Sequence, residues 1–396
     1  MQQSGSSTRQ SPLSRRSVLR GIGLGAVTLI VVADAGLAYR AYDQGVFSGG
    51  RGPAFDPWRA WDGLTGPEAV VGAAVLAANA HNSQPWMFAV SADRVDVFAD
   101  RSRATGANDP LLRELDISLG CAIENMMLTA RANGFTPELV TRPQKRSGLV
   151  ATVHLWPGPV VRDPLFEAIG HRHSNRSEYT GEAVPASTLT DMAALADSDV
   201  DPARLQWLTG AIDLRRFAEM LVEATRAHNA DDQQSMDSFA WWRGSWDEVQ
   251  EHRDGLNIDG VGLPPTIRSL GKILPPSDRS AADATFLDRT RLQAGSAAAF
   301  GIVVVDNPNR LHDRLAGGRL LQRAHLWAAA HGLGFQHMNQ ITERIDRDHD
   351  LGRSSSFEEP LAALTGSTAV LGAFRIGTPT VAGVASPRRS IEEVLA

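Results

Sequence analysis

The sequence predicts an α+β protein whose folded part consists of two related half-units. Two long helical patterns, 126–135 ("MMLTARANGF") and 325–335 ("HLWAAAHGLGF"), each combine an apolar stripe with a glycine that closes the helix. A strand pattern follows each of them later in the chain. Because any two amphipathic helices that end in glycine look alike, the match is compatible either with an internal duplication or with coincidence.

The composition is ordinary for a globular protein. Of 396 residues, 43% are hydrophobic and 21% are charged, so the chain can form two or three domain-sized units. The formal net charge of −6 lacks the basic excess that nucleic-acid binding requires. Cys121 is the single cysteine, which excludes an intrachain disulfide and a zinc cluster built on cysteines.

The N-terminus carries a pattern typical of export. Arg15 and Arg16, in "SRRSVLRG", directly precede the weakly apolar run 21–38. This order predicts a twin-arginine signal, read by the Tat translocase, with Ala33-x-Ala35 as a cleavage site. The alternative is a basic patch before a membrane anchor, although Asp34 lies within the run. We therefore expect an extracytoplasmic protein, released or anchored on the outer face of the membrane.

The chain divides into four regions. Residues 1–42 hold the signal, and 43–64 are rich in Gly and Pro and are predicted to be a linker. The first half-unit is expected at 65–160 and the second at 161–396, the latter interrupted by an insertion at 227–276.

The first half-unit begins with a predicted helix. Thr65 and Glu68 have the spacing of a capping box. The segments "MFAV" and "RVDVFAD" then predict a strand hairpin. Asp109 is the expected cap of a long helix that Pro110 opens, and 148–156 is a predicted strand.

The second half-unit starts with a predicted helix that enters a basic turn within 163–179. A strand is expected at 301–305, a helix closed by Gly332 follows, and a last strand lies at 369–377.

The insertion contains three tryptophans, Trp241, Trp242 and Trp246, followed by a Gly/Pro-rich stretch. Long irregular insertions commonly form lids or binding loops, so these residues are candidates for a lid over a substrate. The alternative is a surface helix that docks its tryptophans on the core.

The segment 79–88, "NAHNSQPWMF", concentrates directional polar groups between a helix and a strand. Asn82 and Gln84 offer amide donors and acceptors, and Trp86 can pack behind them. No titratable pair is present, because His81 is the only ionisable member. The pattern therefore favours binding of a flat, polar-edged ligand over proton transfer.

Basic residues occur at two further places, 171–176 ("HRHSNR") and Arg388–Arg389. Arginine is planar, permanently charged and able to bind phosphate through two N–H groups. Either cluster alone is compatible with a solvated basic face. Together with the amide-rich turn, they could converge on one phosphorylated, planar cofactor.

The order and wording of these three sites resemble the flavin-dependent nitroreductase family. "NSQPWMF" (82–88) is similar to the turn that reaches the flavin from the other subunit of the family's dimer. "HRHSNR" resembles its phosphate and ribityl turn, "GLGFQHMNQ" (332–340) its ring-facing segment, and Arg388–Arg389 its C-terminal basic pair. Because the Asn turn lies in the first half and the Arg turn in the second, the chain looks like the double-length, single-chain Acg-type members.

The resemblance implies tandem half-units that imitate a dimer, each with an antiparallel-rich sheet flanked by helices, and FMN as cofactor. FMN would pass hydride from NAD(P)H or another donor to nitro- or quinone-like acceptors, so no catalytic side chain is expected. The cofactor contacts it implies are Asn79, Asn82, Gln84, Arg172, His173, Ser174, Gly334, His337, Asn339, Arg388 and Arg389.

Two departures from the family pattern are visible: Ala78-Asn79-Ala80 stands where the family has Pro-Ser, and 337–340 lacks an acidic residue. A flavin-holding protein without turnover is the alternative from a different class. A metallohydrolase is a third, since His325, His331 and His337 recur every six residues, but no His-Glu-x-x-His is present and the expected site contains no metal.

Overall fold

Two four-stranded antiparallel sheets form the framework of the molecule. The structure is a computed structural model that describes residues 35–141, 148–196 and 202–396. The strands of the first sheet are β1 (Trp86–Ser91), β2 (Arg94–Ala99), β3 (Phe135–Thr141) and β4 (Leu149–Pro157). Those of the second are β5 (Arg204–Leu208), β6 (Ala299–Val304), β7 (Gly334–His337) and β8 (Val370–Gly377).

The second sheet repeats the design of the first. Their strand orders are β1-β2-β4-β3 and β5-β6-β8-β7. In each sheet the fourth strand along the chain therefore lies between the second and the third, and the third is an edge strand. The pairing register shifts once between the second and fourth strand of each sheet, at Val97/Phe98 and at Val303/Val304. A 20-residue helix connects the second strand to the third in both cases. These features confirm the α+β class and the two half-units.

Helices surround both sheets. They are α1 (Ala35–Asp43), α2 (Pro57–Ala60), α3 (Gly66–Ala74), α4 (Arg113–Ala132), α5 (Pro164–Glu167), α6 (Ala186–Ala193), α7 (Ala211–Ala230), α8 (Asp232–Phe239), α9 (Trp246–His252), α10 (Pro265–Ile273), α11 (Arg279–Gly295), α12 (Leu311–Ala330), α13 (Gln340–Asp350) and α14 (Glu358–Thr365). Short 3₁₀ turns occur at Pro53–Phe55, Trp61–Gly63, Ala80–Asn82, Arg101–Arg103, Gly106–Asn108, Ile169–His171, Ile258–Val261 and Glu392–Val394.

The two long helices α4 and α12 cross at a pair of glycines. A Cβ atom on Gly120 would lie 2.3 Å from the carbonyl oxygen of Leu315, and one on Gly318 would lie 2.2 Å from that of Ile117. Only glycine lets two backbones approach so closely. As a result, one apolar core runs from Trp86 in the first half-unit to Phe374 in the second.

The start of α4 differs from the prediction. The helix begins at Arg113 rather than at Pro110, because Leu112 adopts a left-handed conformation with φ 58°. Asp109 still caps it: its two carboxylate oxygens accept the N–H groups of Glu114 and Leu115, each at 2.9 Å.

The predicted helix that enters a basic turn within 163–179 is present as the short α5 and one 3₁₀ turn before the basic segment. Two other local predictions were wrong. Thr65 makes no side-chain cap at the start of α3, so the capping box is absent. The predicted linker, 43–64, is packed instead, with Phe55 stacked on Trp246 at 6.2 Å between ring centroids.

The predicted strands are confirmed, including the β1–β2 hairpin, β4, β6 and β8. The insertion 227–276 contains the end of α7, all of α8 and α9, and α10. Arg15, Arg16 and most of the run 21–38 lie outside the described residues. Among the helices of the described ranges, none has both the length and the apolarity needed to cross a bilayer.

The glycine crossing predicts that Gly120→Ala destabilises the protein by roughly 1–3 kcal/mol or more, because the new methyl group overlaps backbone atoms that cannot move aside cheaply. Urea unfolding followed by circular dichroism measures this. Gly295→Ala at the end of α11 is the matched control, since a Cβ there meets no atom within 4 Å. Equal stability of the two variants would contradict the close approach.

Candidate functional site

The turn before β1 has a strained backbone. His81, Asn82 and Gln84 have φ of 49°, 56° and 53°, the left-handed region that side chains other than glycine rarely occupy. Such residues typically cost about 1–3 kcal/mol each and cluster at functional sites. Something in the surrounding structure must therefore hold the turn.

The amide side chains of the turn supply that support. The Asn79 side-chain oxygen accepts the Gln84 N–H at 2.8 Å. Gln84 donates to the carbonyl of Arg253 and accepts the backbone N–H of Arg389, both at 2.8 Å. Asn82 donates to the carbonyl of Pro387 at 2.9 Å. The turn is thus tied both to the insertion and to the C-terminal segment.

The C-terminal segment sends its two arginines in different directions. The Arg388 guanidinium donates to the side-chain oxygen of Asn82 and to the carbonyl of Ala77, and it lines the cleft. The Arg389 guanidinium instead donates to the carbonyl of Trp86 at 2.9 Å. Only the first member of the predicted basic pair therefore faces the cleft.

Arg172, Arg176 and Arg388 line one end of the cleft together. Arg172 and Arg388 are each only 2% exposed. Arg172 donates to the carbonyl of Leu76 at 3.0 Å and Arg176 to that of Gly260 at 3.0 Å. Within the described ranges no carboxylate pairs with any of the three. Burial lowers the pKa of Arg172 to about 10, and burial together with the Arg172 charge lowers the pKa of Arg388 well below its usual value.

Trp58, from the packed N-terminal segment, covers the back of this cluster. Its ring lies 5.7 Å from the Arg172 guanidinium carbon and 5.0 Å from that of Arg388. The indole N–H donates to the carbonyl of Ser386 at 2.7 Å, which fixes the ring. Cation–π attraction to one aromatic face offsets part of the repulsion between the two guanidiniums.

Several polar atoms around this end have no partner in the described structure. They are Nε of Arg172, Nε of Arg388 and Nδ1 of His173, all inaccessible to water. Burial and the neighbouring guanidiniums lower the pKa of His173 to about 3. A neutral imidazole therefore stands beside three cations, and the local excess of positive charge and unused N–H donors suits an anion.

The cleft continues into a middle cavity of about 150 Å³ lined by His337, Asn339 and Gln340. Burial, with Arg172 and Arg176 nearby, lowers the pKa of His337 to about 3, so its imidazole is neutral. The His337 Nε2 atom and the Gln340 side-chain oxygen are buried without a hydrogen-bond partner among the described residues. Asn339 donates to the Glu114 carboxyl at 2.9 and 3.0 Å.

Carboxyl groups form the far wall of the middle cavity. Glu114 and Glu343 line it, and Asp109 and Asp346 lie behind them. Burial, partly offset by the Asn339 hydrogen bond and Arg113, raises the pKa of Glu114 to about 7. Burial and three neighbouring carboxyls raise the pKa of Glu343 well above its usual value.

The cleft opens into an outer cavity of about 210 Å³. Its walls are mainly apolar and come from the insertion and α11. The apolar lining residues are Phe239, Trp242, Leu256, Ile258, Val261, Leu263, Phe286 and Leu292. Arg176 and Leu256 line this cavity as well as the other two, which makes the three spaces one continuous cleft.

The structure brings together eight of the predicted site residues along the cleft: Asn79, Asn82, Arg172, Ser174, His337, Asn339, Arg388 and Trp242. The remaining six are not among its lining residues: Gln84, His173, Gly334, Arg389, Trp241 and Trp246. Gly334 packs against the Tyr179 ring, where a Cβ atom would approach to 2.6 Å. Of the three tryptophans, Trp242 lines the outer cavity, whereas Trp246 stacks on Phe55.

Sequence reasoning missed Trp58, Glu114 and Glu343. Arg176 was visible as the last residue of the "HRHSNR" turn, but nothing marked it as the arginine that reaches all three cavities. Glu114 and Glu343 carry the ordinary helix pattern of an acidic residue in the first turn, which gives no sign of burial.

Only two of the three regularly spaced histidines meet. The rings of His325 and His337 are in edge contact at 5.6 Å between centroids, whereas His331 stacks on Trp327 at 3.6 Å. In the part of the chain that the structure describes, no group of three or more His, Cys, Asp or Glu side chains could hold a metal ion.

No protein-family model matches the chain. It is 27% identical over 302 residues to the uncharacterized protein MT1398 of Mycobacterium tuberculosis (strain CDC 1551 / Oshkosh), a match that covers 73% of this chain and 41% of that protein. It therefore spans less than half the length of that relative. It is also 26% identical over 267 residues to a protein of M. tuberculosis (strain H37Rv) with the provisional name NAD(P)H nitroreductase Rv3131, covering 63% of this chain and 75% of that one.

Solved nitroreductase structures show a weak likeness. The FMN-dependent nitroreductase NfnB of Mycobacterium smegmatis, in complex with NADPH, is 16% identical with a TM-score of 0.37, covering 58% of this chain and 96% of NfnB. A nitroreductase with bound FMN from Desulfitobacterium hafniense is 12% identical with a TM-score of 0.36, covering 60% and 98%. TM-scores below 0.5 do not by themselves establish a shared fold.

Gln84→Ala is expected to lower the unfolding free energy by roughly 1–3 kcal/mol, because it leaves the buried Arg389 N–H and the Arg253 carbonyl without partners in a strained turn. Chemical denaturation measures the loss. Gln206→Ala, at an exposed position of β5, is the control and should change little. If Gln84→Ala unfolded at the same midpoint denaturant concentration as the wild type, the stability of the turn would not depend on this side chain.

Proposed function

We propose that this protein is an FMN-dependent oxidoreductase of the nitroreductase type. The observation that carries the proposal is the cluster of Arg172, Arg176 and Arg388 at one end of a continuous cleft. Three guanidiniums without a carboxylate partner in the described structure are costly to bury unless an anion completes them. A phosphate monoester at the end of an elongated, otherwise uncharged ligand has the required charge and position.

The residues present fit FMN. The guanidiniums of Arg172, Arg176 and Arg388 line this end of the cleft and can donate to phosphate oxygens. Asn79 and Ser174 line the path from there into the middle cavity. There the unpartnered Gln340 oxygen and His337 Nε2 suit the polar edge of a planar heterocycle. The two departures from the family pattern leave this set of contacts intact.

When bound, FMN supplies two-electron chemistry by accepting hydride from a reduced nicotinamide or another donor and passing it to an acceptor. The chain itself would hold the phosphate through its arginines, orient the ring with its neutral histidine and amides, and exclude water with apolar walls. The outer cavity, bounded by Trp242 and Phe286, has the apolar surface that nitroaromatic or quinone-like acceptors need.

Membership among the double-length, Acg-type nitroreductase-like proteins is part of the proposal. It is supported by two half-units in one chain and by the similarity to the mycobacterial protein named as a nitroreductase. Export through the twin-arginine pathway, to an extracytoplasmic or membrane-anchored location, rests on Arg15, Arg16 and the run that follows them.

A flavin-holding protein without turnover is the second candidate function. The export pattern favours it, because reduced nicotinamides are scarce outside the cytoplasm. It requires the same cofactor site and differs only in what happens after FMN has bound.

Arg388→Ala should weaken FMN binding roughly 10- to 150-fold, because a charge-assisted contact typically contributes about 1.5–3 kcal/mol. Quenching of FMN fluorescence measures the dissociation constant. The wild-type Arg389 guanidinium faces β1, so Arg389→Ala should bind FMN more tightly than Arg388→Ala does. Arg216 is exposed, so Arg216→Ala should bind FMN as the wild type does. Unchanged affinity in Arg388→Ala would remove the phosphate assignment, and a wild type that binds no FMN would remove the proposed function.

Anaerobic addition of NADPH separates the two candidate functions. The enzyme should lose its flavin absorbance within seconds to minutes and regain it when a quinone is added. A flavin holder should keep its absorbance with NADPH but lose it with dithionite, which reduces flavin without a nicotinamide site. Absorbance at the flavin bands is the measurement in both cases.

A further inference from the structure

We propose that Glu343 is the proton donor of the middle cavity, delivering its carboxyl proton to the acceptor while that acceptor is reduced. The inference rests on the proposed function. It goes beyond the expectation that the flavin needs no acid from the protein.

The geometry separates Glu343 from its acidic neighbours. Asp346 is held by a bidentate pair with Arg113, at 2.6 and 2.7 Å, and Asp109 caps α4. Glu114 accepts both N–H groups of the Asn339 amide. Within the described ranges the Glu343 side chain makes no hydrogen bond, although it lines the cavity. It is thus the member of the cluster that is free to meet a ligand.

The surroundings keep this carboxyl in its acid form. Arg113 is committed to Asp346, so ionised Glu343 would face the carboxyls of Asp109, Glu114 and Asp346 with little compensation. Other charged and titratable groups around the same cavity are Arg176, His81, His228 and His337. Burial lowers the pKa of all three histidines, so they add no positive charge near neutral pH.

A second observation points to a ligand beside this acid. Gln340, one turn before Glu343 on α13, is 9% exposed, lines the same cavity, and has a side-chain oxygen without a donor in the described structure. A buried acceptor of this kind requires a donor from an occupant of the cavity. An acceptor molecule or ring held by Gln340 lies within reach of the next turn of the helix.

A quinone acceptor would gain hydride, which is two electrons and one proton, from the reduced cofactor, and one of its carbonyl oxygens would form an O–H bond with the Glu343 proton. The Glu343 O–H bond breaks and leaves a carboxylate. Water entering through the outer cavity restores the proton before the next turnover.

The test compares Glu343→Gln with Glu359→Gln, an exposed position of α14. The FMN-loaded, anaerobically reduced proteins are mixed with 1,4-benzoquinone, and return of flavin absorbance is followed from acid to alkaline pH. We expect the wild type and Glu359→Gln to slow as pH rises through the carboxyl titration. Glu343→Gln should be about 10²-fold slower or more at neutral pH, with no such decline.

Two further measurements separate proton donation from a structural role. Glu114→Gln removes a neighbouring negative charge, so the decline in rate should move to lower pH. The infrared carbonyl absorption of protonated carboxyls, measured on the protein without FMN, should lose one component in Glu343→Gln and be unchanged in Glu359→Gln, while Asp109 and Glu114, whose pKa values burial also raises, still contribute.

A Glu343→Gln variant with the rate and pH profile of Glu359→Gln would overturn the inference while leaving the proposed function in place, and so would an unchanged carboxyl band. Failure of the wild type to bind FMN is a different result. It would remove the proposed function and the inference with it.

Discussion

The architecture depends on holding three like-charged guanidiniums together at one end of a cleft. Burying an arginine without a counter-charge typically costs several kcal/mol, so each N–H that faces protein needs an acceptor. Backbone carbonyls of Leu76, Ala77 and Gly260 provide most of them, and the Trp58 ring covers the rear. These acceptors come from the first half-unit and from the insertion, whereas the three arginines belong to the second half-unit. The site therefore exists only when the two half-units are docked, which the glycine crossing of α4 and α12 permits.

The basic and acidic side chains that line the cleft are separated along its length. Guanidiniums occupy one end and the carboxyls of Glu114 and Glu343 the other, with neutral histidines between them. The positive end lacks a carboxylate partner in the described structure, and burial raises the pKa of both glutamates at the acidic end, so the side chains of the cleft favour positive charge near neutral pH. A ligand with one anionic end and an uncharged ring would reduce the repulsion at the first end without adding any at the second.

Much of the fold could be predicted from sequence because it follows from periodicity. The hairpin of β1 and β2, the strands β4, β6 and β8, and the two long helices all have apolar patterns of the right period. The capping box at Thr65 was misjudged, because residue spacing alone does not show whether the side chain turns back to the helix N–H groups. The burial of Glu114 and the partial burial of Glu343 had no local signal in the sequence. Both arise because α13 of one half-unit packs beside the start of α4 of the other.

The segment 79–88 acts mainly by positioning Arg388, a residue that lines the cleft, rather than by presenting all of its own amides to a ligand. Its sequence suggests side-chain amides that contact a flat ligand. In the structure, however, the Gln84 amide and the Asn82 side-chain nitrogen form hydrogen bonds with the protein's own backbone. Their hydrogen bonds hold three left-handed residues, and the same bonds fix the backbone at Pro387 and Arg389 on either side of Arg388. Arg388 is thereby aimed into the cleft before any ligand arrives. Since an ordered guanidinium loses little further entropy on binding, the strain in the turn is offset by a site that is already formed.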